Sequence, residues 1–166
     1  MNSVEILYQD EILQFGRRPN NRGVLADANL ELHGDSPICG DHMRLYLRVE
    51  DGHVAAAMFS SSACCALCLA SASMMTDAIK GLSIAGVRAL RTDFLDMLDG
   101  AEGQTIGASG QPLGRLRVFE RIREVPSRSE CVSLSWNTLG AVLSTASIAM
   151  TKPLAVAEAR VDVAAG

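Results

Sequence analysis

The stretch Arg44-Leu45-Tyr46-Leu47-Arg48-Val49-Glu50-Asp51-Gly52-His53-Val54-Ala55-Ala56-Ala57-Met58-Phe59 decides the fold class. Leu45, Leu47 and Val49 alternate with Arg44, Tyr46 and Arg48, a period of two that buries one face of a strand. Glu50-Asp51-Gly52 has the composition of a hairpin turn, and His53 to Phe59 reads as the returning strand. Upstream, Val24 to Leu32 reads as a further strand, broken by Gly34-Asp35-Ser36-Pro37. Three short strands in succession predict an antiparallel meander.

Downstream the chain changes character. Cys65 to Lys80 is rich in Ala, Ser, Leu and Met, and Gly81 stands where a helix C′ glycine belongs. Its small residues Ala70, Ser71, Ala72 and Ser73 predict close packing against another element. Ser83 can cap a second helix carrying Val87, Leu90, Phe94, Met97 and Leu98, ended by Gly100. Ala101 to Gly114 reads as a polar connection and Leu116 to Ile122 as a short helix. Pro126 to Ser129 reads as a turn, with Ser129 capping a last helix to about Met150. At the other end, Val4, Leu7, Tyr8, Ile12 and Phe15 follow a helical period that Gly16 stops, before the turn cluster Arg17 to Gly23. Strands first and helices afterwards predict an α+β fold. Residues 1–150 read as a single domain and 151–166 as a frayed tail.

The 166 residues are 48% hydrophobic, enough apolar surface for one core and too much for wholesale disorder. Fifteen basic against nineteen acidic residues leave a net charge of −4, which argues against a general nucleic-acid binder. No apolar run approaches the roughly 20 residues that span a bilayer. Glu5, Asp10 and Glu11 fit neither a signal peptide nor a basic transit peptide, so the expected location is cytoplasmic, with no membrane partner.

Five cysteines without a secretory signal argue against a disulfide framework. Cys39 lies in a turn between two strands, Cys64 and Cys65 at a strand-to-helix junction, and Cys68 one turn inside that helix. Cys131 falls in the first turn of the expected last helix. Helix starts favour thiolate, the form that attacks sulfur and binds metal. Cys39, Asp41, one of Cys64 and Cys65, and Cys131 would offer S, O, S and S donors, a set that suits tetrahedral Zn²⁺. The competing reading is that these cysteines pack as small hydrophobes. Cys65-Ala66-Leu67-Cys68 is an unaccompanied C-x-x-C outside a thioredoxin-like context. His33 and His53 read as solvated strand ends. His42 adjoins Asp41 and could supply a supporting contact or a replacement ligand, against which stands the rule that adjacent strand residues face opposite ways.

Pro37-Ile38-Cys39-Gly40-Asp41, Ala70-Ser71-Ala72-Ser73-Met74-Met75-Thr76 with Lys80-Gly81, and Cys131-Val132-Ser133-Leu134-Ser135-Trp136 together resemble the SufU branch of the NifU/IscU-like iron–sulfur assembly proteins. Leu7-Tyr8 and Arg18-Pro19-Asn20-Asn21-Arg22-Gly23-Val24-Leu25 resemble it too, so the likeness runs from about Leu7 to about Leu143. The long connection from Gly81 to Cys131, and Glu130 where the IscU type has histidine, are similar to SufU rather than IscU. The resemblance implies a three-stranded antiparallel sheet with about five helices packed mainly on one side. It implies a zinc site of Cys39, Asp41, Cys65 and Cys131, and acceptance of persulfide sulfur from a PLP-dependent cysteine desulfurase. The acceptor would be Cys65, and the protein a sulfur-transfer partner rather than a stand-alone catalyst. The family's Gly-x-Gly-Cys reads here as Ser60-Ser61-Ser62-Ala63-Cys64-Cys65. Counting back from Ala70 selects Cys65, and counting forward from Phe59 selects Cys64. Glu130 stands where the SufU type carries lysine, and Arg128 matches that branch's arginine and could balance the site's charge. The alternatives on the same ligands are a transient [2Fe–2S] scaffold and a structural zinc interaction module. Self-association stays open.

Overall fold

The computed structural model describes residues 9–36, 40–100 and 113–149. The element order is α1 (Asp10–Arg17), β1 (Leu30–Asp35), β2 (His42–Glu50), β3 (His53–Ala63), α2 (Ala66–Ile79), α3 (Ile84–Asp99), a 3-10 helix (Gly114–Glu124) and α4 (Pro126–Ala149). This is the expected α+β order. The expected helix start at Val4, the connection over 101–112 and the tail over 151–166 lie outside the described residues; the helix as described begins at Asp10.

The strands form one antiparallel sheet in the order β1-β2-β3. Leu32 pairs with Leu45, Leu45 with Phe59, and Leu47 with Ala57, so one face is continuously apolar and buried. Asp51 and Gly52 join β2 to β3 with φ of 50° and 74°. Two positive φ values in a two-residue loop are the type I′ turn that matches strand twist. α2 and α4 pack over the sheet, α1 lies against α2, and α3 and the 3-10 helix close over α4. Every residue of α2 from Ala70 to Thr76 is buried; its small side chains let neighbours approach from several directions. Their hydroxyls are satisfied: Ser73 Oγ accepts from the Asn20 N–H at 2.7 Å, and Thr76 Oγ1 donates to the Ala72 carbonyl at 2.8 Å. Among the described residues, no helix is long and apolar enough to cross a membrane.

Four local expectations are corrected. β1 begins at Leu30 rather than Val24: Val24 is exposed, and Asn29 starts the pairing by donating its N–H to the Leu47 carbonyl at 3.0 Å. Gly34 does not break this strand. It lies inside β1 because Thr138 of α4 presses on it, and a Cβ there would sit 1.9 Å from Thr138 Oγ1. Gly16 does not stop α1 either; it permits contact with α2, since a Cβ would lie 2.8 Å from the Ala66 carbonyl oxygen. Finally, α4 starts at Pro126, whose missing N–H costs nothing at a first helical position, so Ser129 is not the cap and Cys131 falls in the second turn. The short helix expected near Leu116 is a 3-10 helix in which Leu116, Phe119 and Ile122 are buried. Spacing by three places them on one face of a helix with three residues per turn.

Candidate metal centre

Asp41, Cys64, Cys65 and Cys131 come from three places that the fold brings together. Asp41 immediately precedes β2. The ends of its loop are tied by the Ser36 N–H donating to the Asp41 carbonyl at 2.9 Å and the Gly40 N–H donating to the Ser36 carbonyl at 2.8 Å. Gly40 has φ of 71°, a left-handed conformation that glycine adopts without steric cost. Opposite, β3 is irregular: His42 pairs with Ala63 but Met43 with Ser61, leaving Ser62 as an extra residue. Such a bulge re-aims the strand end, and the chain passes directly into Cys64 and Cys65. Cys65 is the N-cap of α2. Cys131 enters from α4 and is buried.

A carboxylate oxygen of Asp41 and the Sγ atoms of Cys65 and Cys131 lie within 4.8 Å of one another. Asp41 is buried, and its Oδ2 has no hydrogen-bond partner. An unpartnered buried carboxylate oxygen is costly, and here it sits beside two sulfurs. The donor chemistry, two thiols and a carboxylate, therefore fits a thiophilic divalent ion such as Zn²⁺.

The thiols are not equivalent. Cys65 is lowered to about 7, first by its hydrogen bond with Cys131 and further by the backbone N–H groups of Cys68 and Leu67 at the start of α2. Burial and the Asp41 charge oppose the shift. Cys68 moves far the other way, first through its hydrogen bond with Cys64, then through burial and nearby negative charge. It stays a thiol inside the core. Cys64 belongs to a second group, with Asp41 and Cys68, and its Sγ donates to the His42 carbonyl at 3.7 Å. Asp41 thus stands between two thiol pairs, Cys65 with Cys131 and Cys64 with Cys68.

Cys39, the remaining expected ligand, lies outside the described residues. Arg128 is exposed in the first turn of α4, and Glu130 is half-buried immediately before Cys131. His53 is exposed beside the β2–β3 turn. His33, expected to be a solvated strand end, is instead half-buried inside β1 and hydrogen-bonded to Asp35; His42 meets the same carboxylate. Residue types alone hide this cluster, because it depends on Asp35 pairing with His42 across β1 and β2.

Comparison with known proteins places the chain in a family. The profile described as "NifU-like N terminal domain" matches residues 7–110. The chain is 33% identical over 137 residues to the zinc-dependent sulfurtransferase SufU of Bacillus subtilis, an alignment covering 82% of this chain and 89% of that protein. It is 31% identical over 137 residues to the iron-sulfur cluster assembly scaffold protein IscU of Thermotoga maritima, covering 81% and 91%. In fold it is similar to the crystal structure of the amino-terminal part of a nitrogen-fixing NifU-like protein from Brucella abortus. That match has a TM-score of 0.76 and 23% identity, and covers 89% of this chain and 99% of that one. The matched profile spans most of the chain and the relatives align along nearly all of their own length, so the chain belongs to the NifU-like N-terminal domain family.

Proposed function

We propose that this protein accepts sulfur from the persulfide of a PLP-dependent cysteine desulfurase on Cys65, at a zinc-holding thiol site, and hands it on in iron–sulfur cluster assembly. The observation that carries the reading is the buried, unpartnered Asp41 Oδ2 grouped with Cys65 and Cys131. The name of the Bacillus subtilis relative supports the same chemistry. Asp41, Cys65 and Cys131 would hold the ion, with Cys39 as the fourth donor. Bound Zn²⁺ supplies charge that keeps the thiols deprotonated.

The chain's own residues set up the transfer. Cys65 Sγ is the nucleophile, favoured as thiolate by Cys131 and by the start of α2. It attacks the outer sulfur of the partner's persulfide. A new S–S bond forms at Cys65 as the partner's S–S bond breaks, and the electron pair leaves on the partner's cysteine sulfur as thiolate. The outer sulfur carries its own proton across, so no external oxidant or reductant is needed. Arg128, exposed on the first turn of α4, offsets the anionic charge of the site. Cys68, held as a thiol, stays out of the exchange.

The test is to incubate the full chain with a desulfurase and cysteine and to map persulfide by mass spectrometry. Label is expected on Cys65. Persulfide that survives combined Cys64→Ala and Cys65→Ala substitution rejects the assignment. The name of the Thermotoga maritima relative favours a second reading, a transient [2Fe–2S] scaffold on the same ligands. Anaerobic purification separates the two, since a cluster colours the protein and a zinc site does not.

A further inference from the structure

A second donor set stands at the same end of the sheet, on its other face. His33 and Asp35 are two residues apart on β1 and so share a face. His42, the first residue of β2, pairs directly with Asp35. His33 Nε2 lies 2.7 Å from Asp35 Oδ1, and His42 Nδ1 is hydrogen-bonded to that same oxygen. One ligand atom from each of the three residues falls within 4.8 Å of the others. Neighbouring residues of a strand point to opposite sides, so buried Asp41 serves the thiol centre while exposed His42 serves this one.

We propose that His33, Asp35 and His42 form a second metal site, open to solvent, for an exchangeable first-row divalent cation. Two imidazole nitrogens and one carboxylate oxygen suit Zn²⁺, Fe²⁺, Co²⁺ or Ni²⁺, whereas Mg²⁺ and Ca²⁺ take oxygen ligands. Ligands about 2.0–2.1 Å from an ion stand roughly 3 Å apart, a spread these side chains reach by small rotations on a solvent-facing surface. An entering ion takes the place of the hydrogen bonds to Asp35, each neutral ring binding through the nitrogen that faces Asp35 and carrying its one proton on the other nitrogen. The side chains of His33, Asp35 and His42 are 35%, 34% and 47% exposed, which leaves room for water on the ion and for its exchange. Arg44, opposite His33 on β2, is held by Glu31 at 2.7 Å.

The site does not depend on the thiol centre, and Co²⁺ separates the two. Thiolate ligation gives intense near-ultraviolet charge-transfer bands, and imidazole with carboxylate does not. The full chain titrated with Co²⁺ is expected to take up one ion that adds no thiolate band and that shifts the ring proton resonances of His33 and His42. The ring of His53, the third histidine, serves as the unshifted control. His42→Gln, at an exposed position, is expected to weaken this uptake at least tenfold while leaving the thiolate bands and the thermal melt unchanged. Asp35→Asn is expected to weaken it likewise. Uptake that shows only thiolate bands, or a band-free ion whose affinity is the same in His42→Gln and Asp35→Asn, overturns the proposal. Missing thiolate bands alongside His33 and His42 shifts would count against the thiol-site reading alone.

Discussion

Asp41 and Cys65 are shaped for opposite conditions. In the metal-free protein, Asp41 Oδ2 is a buried acceptor with nothing to accept from, and such a group costs about 1–3 kcal/mol. Asp41→Asn removes the carboxylate charge beside the two sulfurs. The chelator-treated variant is expected to melt at or above the chelator-treated parent, and the order is expected to reverse with zinc added. A variant less stable than the parent under both conditions would show that Asp41 is structural rather than a ligand. Cys65 makes a pH prediction in the same metal-free protein. Its thiol is lowered to about 7, chiefly by Cys131. Thiolate, formed by deprotonation, is the form that alkylates, so alkylation at Cys65 should rise with pH through a midpoint near 7. Cys131→Ala should move that midpoint upward, toward an ordinary thiol's 8.5 or so. Peptide mapping of the alkylated chain across a pH series reads both. An unmoved midpoint would mean that the start of α2, rather than Cys131, sets the reactivity.

At the scale of elements, the contact between β1 and α4 rests on Gly34. A Cβ there would lie 1.9 Å from Thr138 Oγ1 and 3.1 Å from Thr138 Cβ. Thr138 is fully buried and its hydroxyl donates to the Leu134 carbonyl at 2.8 Å, so it has little freedom to turn away. Gly34→Ala is expected to cost about 1–3 kcal/mol by overpacking, read as a lower urea midpoint. Thr138→Ala in the same chain should recover part of that loss; equal midpoints for Gly34→Ala and the parent would sink the idea. This glycine also shows what was legible in the sequence. The β2–β3 hairpin was legible because its alternation and its Asp51-Gly52 turn are local signals. The caps at Gly81, Ser83 and Gly100 were legible for the same reason, and Ser83 Oγ does accept from the Gly86 N–H at 3.0 Å. Gly16 and Gly34 look like breakers in the local sequence, but their purpose is contact with Ala66 and Thr138, far along the chain. The cysteines and Asp41 announce a site by residue type. The cluster of His33, Asp35 and His42 needs the register between two strands, and no single segment contains it.

For the whole molecule, the question is what keeps Cys65, at the start of α2, beside Cys131 on α4. The two helices are joined by a buried polar seam. Ser71 Oγ donates to the Val132 carbonyl at 2.6 Å and accepts from Trp136 Nε1 at 3.2 Å, with Ser135 Oγ also at 3.2 Å. Val132 is the residue after Cys131, so this seam sets the register of the thiol pair. On its other side the Trp136 ring stacks on Phe94 of α3, with centroids 4.1 Å apart. Ser71→Ala leaves the Trp136 N–H buried without that acceptor, an expected loss of about 1–3 kcal/mol. Because the chain has a single tryptophan, its emission reports the seam directly. Phe94→Leu is the comparison: it should cost a similar amount, about 1–3 kcal/mol, by removing the stacked ring without touching Ser71. Both variants should melt earlier than the parent and change the tryptophan emission. Only Ser71→Ala should raise the pH midpoint for Cys65 alkylation, since only it loosens the link beside Cys131. If the two variants shift that midpoint alike, the thiols are held together by general packing of the core; if Ser71→Ala alone moves it, one buried hydroxyl couples the helix seam to the reactivity of the site.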